Sequence, residues 1–302
     1  MPDEFLSICI PTRNRSHLLR DLLVSLAAEL QRGDLTPEDV RILVSDNAST
    51  DATKVVAHEV LGSFPHFSYS CNPTNIGGNQ NILLCASKGR GSYRWIIGDD
   101  EILTTGTLPY LLSVLREKDP GWFIHSEGTC TAKLKPPRLF ASVHDFVRSA
   151  CTNDPPALIL AGGISFCTFR VDCYDHALAK AQLEQASSYP QFFALLEGLR
   201  RTGAPVFATE RRTILVREQR PAPVDGELPL DSDRNWRRCM EWVNETFQVT
   251  LDPDVLSRHA SQGWLRQMFR NPWRTFRNNG ALFLIPGTYP RIVKRLWYAI
   301  KH

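Results

Sequence analysis

The chain has no run of about 18 consecutive apolar residues, the length that a membrane-crossing helix requires. Its first residues, Met-Pro-Asp-Glu-Phe-Leu-Ser, lack the basic start and apolar stretch of a secretory signal. The expected location is therefore cytoplasmic. Its eight cysteines, Cys9, Cys71, Cys85, Cys130, Cys151, Cys167, Cys173 and Cys239, contain no C-x-x-C pair, which argues against a disulfide framework and against a zinc site. No internal repeat or collagen-like period is present, and the composition is not that of a disordered chain. One absence is regional: Val255 to His302 contains no Asp or Glu, yet it holds nine Lys or Arg.

What is present is an ordinary globular composition of 302 residues, 43% hydrophobic and 22% charged, with a formal net charge of +3. That length accommodates one large domain, or one domain with a substantial appendage. All 32 acidic residues fall before Val255, so a basic tail follows a net-acidic body, a balance suited to contact with an anionic surface.

Phe5–Ile10 is a β-type run broken by Pro11. Behind Ser16, a candidate cap, Leu18, Leu19, Leu22, Leu23, Leu26 and Leu30 recur at helical spacing until Gly33. Val40–Ser45 reads as a second strand, and the polar turn Asp46–Asp51 closes it and caps a helix over 52–61. Phe67–Ser70 reads as a third strand, Gly77-Gly78 opens a helix near Asn79–Ser87, and Tyr93–Ile97 reads as a fourth strand. This β-α-β-α-β-α-β order with short connections predicts an α/β fold, a mostly parallel sheet flanked by helices. The second half is less regular. Helices over 107–117, 174–184 and 190–202 and strands over 121–126 and 205–209 are expected there, then a proline-rich loop, Pro221–Pro229, and further helix.

The stretch Tyr93-Arg-Trp-Ile-Ile-Gly-Asp99-Asp100-Glu101 ends a buried strand in three consecutive carboxylates. Adjacent carboxylates repel unless a cation or proton relieves them. Hard divalent ions take oxygen ligands, commonly one or two carboxylates with substrate phosphates. A solvated acidic turn is the plainer alternative. Two further polar groups close earlier strands: Pro11-Thr12-Arg13-Asn14-Arg15 and Ser45-Asp46-Asn47-Ala48-Ser49-Thr50-Asp51. In an open α/β sheet all three would lie at the carboxyl edge, where ligands gather. An Asp there can accept from a base or ribose, and Arg13 and Arg15 can offset phosphate charge.

Ile-Pro-Thr-Arg-Asn-Arg, Val-Ser-Asp-Asn-Ala-Ser-Thr-Asp, Asn72-Pro-Thr-Asn-Ile-Gly-Gly-Asn79 and Trp-Ile-Ile-Gly-Asp-Asp-Glu, in that order, resemble family 2 glycosyltransferases of the GT-A fold, nearest the bacterial abequosyltransferase-like branch. The resemblance covers residues 5–105 specifically and continues weakly to about residue 217. With residues 216–302 read as a mostly helical, basic region, it implies a GT-A domain over residues 1–215. It further implies inverting transfer of a sugar from a nucleoside diphosphate sugar to an acceptor hydroxyl, assisted by Mg²⁺ or Mn²⁺. Such enzymes serve surface polysaccharide synthesis, so a lipid-linked or saccharide acceptor is implied.

The same resemblance places Pro11, Thr12 and Arg13 in the nucleotide pocket, gives Asp46 the base, and sets Asn75, Gly77, Gly78 and Asn79 beside the nucleotide. In the family's Asp-x-Asp metal motif, Gly98 stands at the first Asp, Asp100 at the metal-binding Asp and Glu101 at the acidic follower. Asp99 would help to hold ribose or metal. The catalytic base of the family falls here on Gln191-Phe192, neither of which can take a proton at neutral pH. Glu184, Asp175 and Glu197 are the nearby carboxylates, with Glu184 preferred as base because it precedes the loop before Tyr189-Pro190-Gln191. Gly162-Gly163-Ile164-Ser165 lies where the family shapes the acceptor side, although a simple turn explains it equally well.

Within Tyr289–His302, Ile292, Val293, Leu296, Trp297 and Ile300 share a helical face that Arg291, Lys294, Arg295 and Lys301 largely avoid. Such a helix suits either an anionic membrane surface or docking on the protein body. The basic residues match no nucleic-acid module. Scattered His125, His144, His176 and His259 read as structural or surface residues. Two rival functions remain. A nucleotidylyltransferase would need a glycine-rich loop after strand one, where Pro-Thr-Arg-Asn-Arg has no glycine. A non-catalytic nucleotide-sugar-binding or scaffold protein would retain the pocket without the base.

Overall fold

The computed structural model describes residues 5–32, 35–126, 138–153, 158, 163–184, 190–216 and 229–250. The chain divides into two compact units, Met1–Leu228 and Pro229–His302. Within the described part of the second unit there is one helix, Pro229–Phe247, in which Trp242 meets Phe247 edge-on. The tail helix expected over 289–302 lies outside the described residues, as do Gly33, Gly162 and His259. Among the described residues no helix is long and apolar enough to cross a membrane.

The first unit begins with strand β1 (Leu6–Thr12), helix α1 (Ser16–Leu30), β2 (Val40–Asp46), α2 (Thr53–Leu61), β3 (Phe67–Cys71), α3 (Gly78–Lys88) and β4 (Tyr93–Ile96). There follow β5 (Glu101–Leu103), α4 (Thr107–Lys118), β6 (Trp122–Ser126), β7 (Arg138–Phe140), α5 (Val143–Asn153), β8 (Cys167–Arg170), α6 (His176–Glu184), α7 (Pro190–Thr202), β9 (Val206–Arg212) and β10 (Ile214–Val216). Eight strands form one sheet in the order β3-β2-β1-β4-β8-β6-β9-β7, while β10 and β5 pair separately. The pairs β3–β2, β2–β1, β1–β4 and β6–β9 are parallel; β8 runs antiparallel to both β4 and β6.

Strand β1 is buried along nearly its whole length, as a central parallel strand must be. Leu6, Ile8 and Ile10 join the leucines of α1 in the main core, and Cys9, pointing the other way, meets Cys85 of α3. The period of two in the strand thus divides its side chains between two helical layers. The strand continues through Pro11 rather than stopping before it. Pairing with β4 ends at Cys9↔Ile96, and Thr12 faces β2. Backbone direction alternates, so Pro11 presents its missing N–H to the side where the ladder has already ended.

Two buried charged side chains close helices that the leucine pattern alone leaves open. Glu29 of α1, only 2% exposed, accepts from Gly106 N at 2.9 Å and Leu108 N at 3.1 Å, capping the start of α4. Arg94 of β4 turns back to the end of α3, donating to Gly89 O at 2.6 Å and Arg90 O at 2.7 Å, with Gly91 O and Tyr93 O also in reach. A Cβ on Gly89 would lie 2.5 Å from that arginine's Cδ and Nε, so the glycine makes room for the guanidinium.

Candidate active site

Parallel pairing sets Thr12 level with Asp46 and Asp46 level with Cys71, so the turns after β1, β2 and β3 emerge side by side. They are tied together. Asn47 N donates to Thr12 O at 2.9 Å, Asn14 N donates to Ser49 Oγ at 2.9 Å, and Thr50 N donates to Asn14 Oδ1 at 2.8 Å. Asn14 and Ala48 both adopt left-handed backbone, with φ of 52° and 59°. Asn tolerates this conformation, whereas Ala carries a steric cost. Ser16, read from the sequence as a cap, is instead the first helical residue, and its N–H donates to Asp51 Oδ2 at 2.9 Å. Asp51 also accepts from Thr53 N at 3.0 Å, so one carboxylate from the β2 turn serves the starts of α1 and α2.

Asp46 is 1% exposed. Its Oδ1 accepts from Ser49 N at 2.8 Å, and its Oδ2 accepts from the Tyr69 hydroxyl of β3. Burial, together with the adjacent Asp46 carboxylate, pushes the Tyr69 hydroxyl well above the usual phenol range, which keeps it a donor. An ionised carboxylate offers about four lone-pair sites. Two are used in orienting this one, which leaves capacity for a further donor.

The loop carrying Asn75, Gly77, Gly78 and Asn79 hangs on an amide network. Asn47 Nδ2 donates to Asn75 Oδ1 at 2.7 Å, and its Oδ1 accepts from Ile76 N at 2.9 Å and Asn72 Nδ2 at 3.1 Å. Asn81, 2% exposed, accepts from Asn72 Nδ2 at 3.0 Å and Ser45 Oγ at 2.9 Å and donates to Ser45 O at 2.9 Å. Asn47 and Asn81 were not singled out from the sequence. The signal was present in four asparagines, at 72, 75, 79 and 81, in ten residues. Gly77 has a φ of 90°, and a Cβ on it or on Gly78 would meet no protein atom within 4 Å. Conformation, not crowding by protein, therefore accounts for Gly77.

The acid turn after β4 completes the edge. Asp99, 3% exposed, accepts from Thr12 Oγ1 at 2.6 Å and from Arg15 at 2.9 Å. Burial raises its carboxyl above the ordinary range, with Arg15 and Thr12 pulling the other way. Asp100 sits at the rim with 26% of its side chain exposed, its Oδ2 3.5 Å from Arg15. Glu101 is buried and enters β5, where it pairs with Val216. Gly98 lies beneath: a Cβ there would fall 2.8 Å from Asp100 Oδ1, 3.3 Å from Ser165 Oγ and 3.8 Å from Glu101 Cγ. The volume that the family's first Asp would occupy is thus taken by Asp100 and Ser165.

Among the described residues no three His, Cys, Asp or Glu side chains are grouped as an all-protein metal set. With Asp99 engaged by Thr12 and Arg15, the turn offers a rim carboxylate in Asp100 and a buried one beside it in Glu101. That donor set suits a hard divalent ion whose other positions are filled by substrate phosphate and water.

The turn is braced from behind. Gly98 N donates to Ser165 Oγ at 3.0 Å, and Trp95 Nε1 donates to Ser165 O at 3.0 Å. Trp95 stacks on His125 with ring centroids 4.1 Å apart. His125 is fully buried, its two nitrogens at 3.1 Å from Thr213 Oγ1 and 2.8 Å from Thr168 Oγ1, and burial lowers its pKa to about 3. It is a neutral structural group, in keeping with the sequence reading; His144 and His176 are exposed.

Gln191 and Phe192, where the resemblance places the family's base, occupy the second and third positions of α7 and are both buried. Asp175 caps α6, accepting from Leu178 N at 2.9 Å. Glu197 is engaged by Arg200 at 2.9 and 2.6 Å, which holds its carboxyl below the ordinary range. Glu184 is the last residue of α6, and its side chain lies outside the described residues.

Residues 7–164 match the family model described as glycosyl transferase family 2. Abequosyltransferase RfbV of Salmonella typhimurium is 37% identical over 112 residues, which is 36% of this chain and 32% of that protein. A GalNAc(5)-diNAcBac-PP-undecaprenol beta-1,3-glucosyltransferase of Campylobacter jejuni is 30% identical over 128 residues, 41% of this chain and 38% of that one. The chain thus spans about a third of the length of the curated relatives it matches. Among solved structures, S. aureus TarS 1-349 in complex with UDP superposes with a TM-score of 0.59 at 16% identity, covering 98% of this chain and 80% of that one. The mannosyltransferase PcManGT of Pyrobaculum calidifontis, in complex with GDP-Man and Mn²⁺, gives a TM-score of 0.53 at 12% identity, covering 99% and 86%. These likenesses show the fold, the GT-A arrangement of a mostly parallel sheet flanked by helices. A family model that spans more than half of the residues, on that fold, with the four strand-end motifs gathered at one edge, shows that the chain belongs to glycosyl transferase family 2.

Proposed function

We propose that this protein transfers a sugar from a nucleoside diphosphate sugar to an acceptor hydroxyl in bacterial surface polysaccharide synthesis. One observation carries the reading: a buried, oriented carboxylate (Asp46), an arginine pair (Arg13 and Arg15) and the acid turn Asp99–Glu101 share one sheet edge in a chain of this family. Asp46 would accept from the nucleobase, with Pro11 and Thr12 lining the pocket. Asn75, Gly77, Gly78 and Asn79 would lie along the nucleotide, on the loop that Asn47 and Asn81 hold. Arg13 and Arg15 would meet the phosphates in the fork geometry that arginine favours.

Asp100, with Glu101, would hold Mg²⁺ or Mn²⁺, which when bound supplies positive charge at the departing diphosphate. Asp99 would fix ribose or steady the turn. Inversion at the anomeric carbon follows from the family, with a base such as Glu184 taking the acceptor proton. The Campylobacter relative carries undecaprenol in its name, which supports a lipid-linked acceptor here. A catalytic domain over 1–215, followed by a basic region over 216–302 that rests on the anionic inner face of the cytoplasmic membrane, would meet such an acceptor.

A thermal-shift panel of UDP, GDP, dTDP and CDP with and without Mn²⁺ tests the donor half, because binding stabilises the fold by RT ln(1 + [L]/Kd). Donor turnover abolished by Asp100→Ala tests the chemistry; turnover unchanged by that substitution would sink the proposed role of the acid turn. A second reading, a nucleotide-sugar-binding protein without catalysis, is favoured by one observation, the buried Gln191-Phe192 pair where the family places its base. Nucleotide binding without turnover on any lipid-linked acceptor would select it.

A further inference from the structure

We propose that Arg15 is the resident counter-cation of the acid turn and that it couples the arrival of a divalent ion to the arrival of the donor diphosphate. The inference rests on the nucleotide-sugar reading above. One guanidinium nitrogen of Arg15 lies 2.9 Å from Asp99 Oδ1 and 3.5 Å from Asp100 Oδ2, so a single positive group serves both carboxylates. The two contacts differ in kind. Asp99 is buried and has a second, short bond from Thr12 at 2.6 Å, so it stays in place when Arg15 moves. Asp100 stands at the rim, and its contact with Arg15 is the longer one.

The backbone beneath the arginine is fixed while the side chain has somewhere to go. Leu18 N and Leu19 N both donate to Arg15 O, and Asp51 holds Ser16 N next to it. The Arg15 side chain is 30% exposed. A guanidinium fork accommodates carboxylate or phosphate with the same geometry. Without nucleotide, a divalent ion therefore approaches an Asp100 already shared with a cation. With a diphosphate in place, Arg15 has phosphate oxygens to turn to, and Asp100 is released to the ion. Two ligands that each take one partner of the same ion pair in this way are thermodynamically linked, each favouring the other.

The experiment is direct binding on the full chain and on Arg15→Gln and Arg15→Lys. Mn²⁺ affinity is read by electron paramagnetic resonance without nucleotide, and the affinities of UDP, GDP, dTDP and CDP are read by calorimetry without metal. The expected signature is two shifts of opposite sign. Arg15→Gln binds Mn²⁺ alone about tenfold more tightly and its preferred nucleotide alone about tenfold more weakly than the parent, within the range of ordinary two-site coupling. Arg15→Lys, which retains charge but not the fork, shifts the same way by less, and it carries the test should Arg15→Gln fail to fold. A loss of both affinities together would mean that Arg15 only supports the turn, and unchanged affinities would mean that it is a bystander; either overturns the inference while leaving the functional reading intact. Failure of the parent chain to bind any of the four nucleotides, with or without Mn²⁺, would remove the functional reading and this inference with it.

Discussion

Replacing Gly98 with alanine should separate stability from function. The sequence sets Gly98 at the first Asp of the family's Asp-x-Asp motif, and the structure shows what a side chain there would meet. An alanine Cβ would lie 2.8 Å from Asp100 Oδ1, so that oxygen must retreat by about 0.6 Å to reach ordinary contact. The atom displaced is the end of a rim side chain, not backbone, so the global cost should stay within about 1 kcal/mol. Binding constellations, by contrast, tolerate displacements of only about 0.5 Å, and a misplacement near 1 Å can cost about a hundredfold. We expect Gly98→Ala to retain its urea midpoint closely while kcat/KM for donor turnover falls roughly tenfold or more, about 1.4 kcal/mol of transition-state stabilisation. Gly98→Asp should be worse, because it sets a further carboxylate beside Asp99, Asp100 and Glu101. Donor turnover and Mn²⁺ affinity, measured beside urea unfolding, check this. An Ala variant with parental turnover, or an Asp variant with tighter Mn²⁺ binding, would refute the reasoning.

Other sites give simpler expectations. Arg94→Met should destabilise the fold by about 2 kcal/mol, since it leaves the carbonyl of Gly89 without its buried donor while Arg90 O keeps the Ser7 hydroxyl; urea unfolding should show a lower midpoint at unchanged slope. Ala48→Gly should stabilise by about 0.5 kcal/mol, as relief of a φ of 59° exceeds the added chain entropy, and a small upward shift in Tm would show it. His125 makes stability depend on pH. Below its ordinary value of 6.5 the unfolded chain takes up a proton that the folded chain refuses until about 3, so stability falls as pH drops through that window. Between about pH 7 and pH 5 the loss from this residue is on the order of 2 kcal/mol. His125→Gln, whatever its stability at neutral pH, should show a shallower decline over that range.

The elements of the first hundred residues were legible because each carried a local physical signal. The leucines of α1 repeat at 3.6, β1 and β2 are apolar on both faces as central parallel strands are, and the turns between them are built from Asn, Asp, Ser and Gly. The short antiparallel strands β5, β8 and β10 were not anticipated. Runs of three or four residues carry no period of their own, and they exist because β4, β6 and each other present open edges. Likewise the sheet order β4-β8-β6, with a late strand inserted between two earlier ones, is a tertiary result.

In the site, the sequence by itself determined which chemistry is available: an Asp at the end of β2, two arginines after β1, and three carboxylates after β4, all at one edge once the strands are parallel. Residue type and spacing suffice there because parallel pairing forces strand ends into line. Only the tertiary structure decided how those groups divide the work. Asp99 and Asp100 are neighbours of identical type, yet one is buried under Thr12 and Arg15 and the other stands at the rim. Gly98 stands at the family's first Asp, and only the positions of Asp100 and Ser165, the latter 67 residues away in sequence, show that a side chain there must displace its neighbours. Burial and three-dimensional distance set these differences, and neither is a property of residue type or of spacing along the chain.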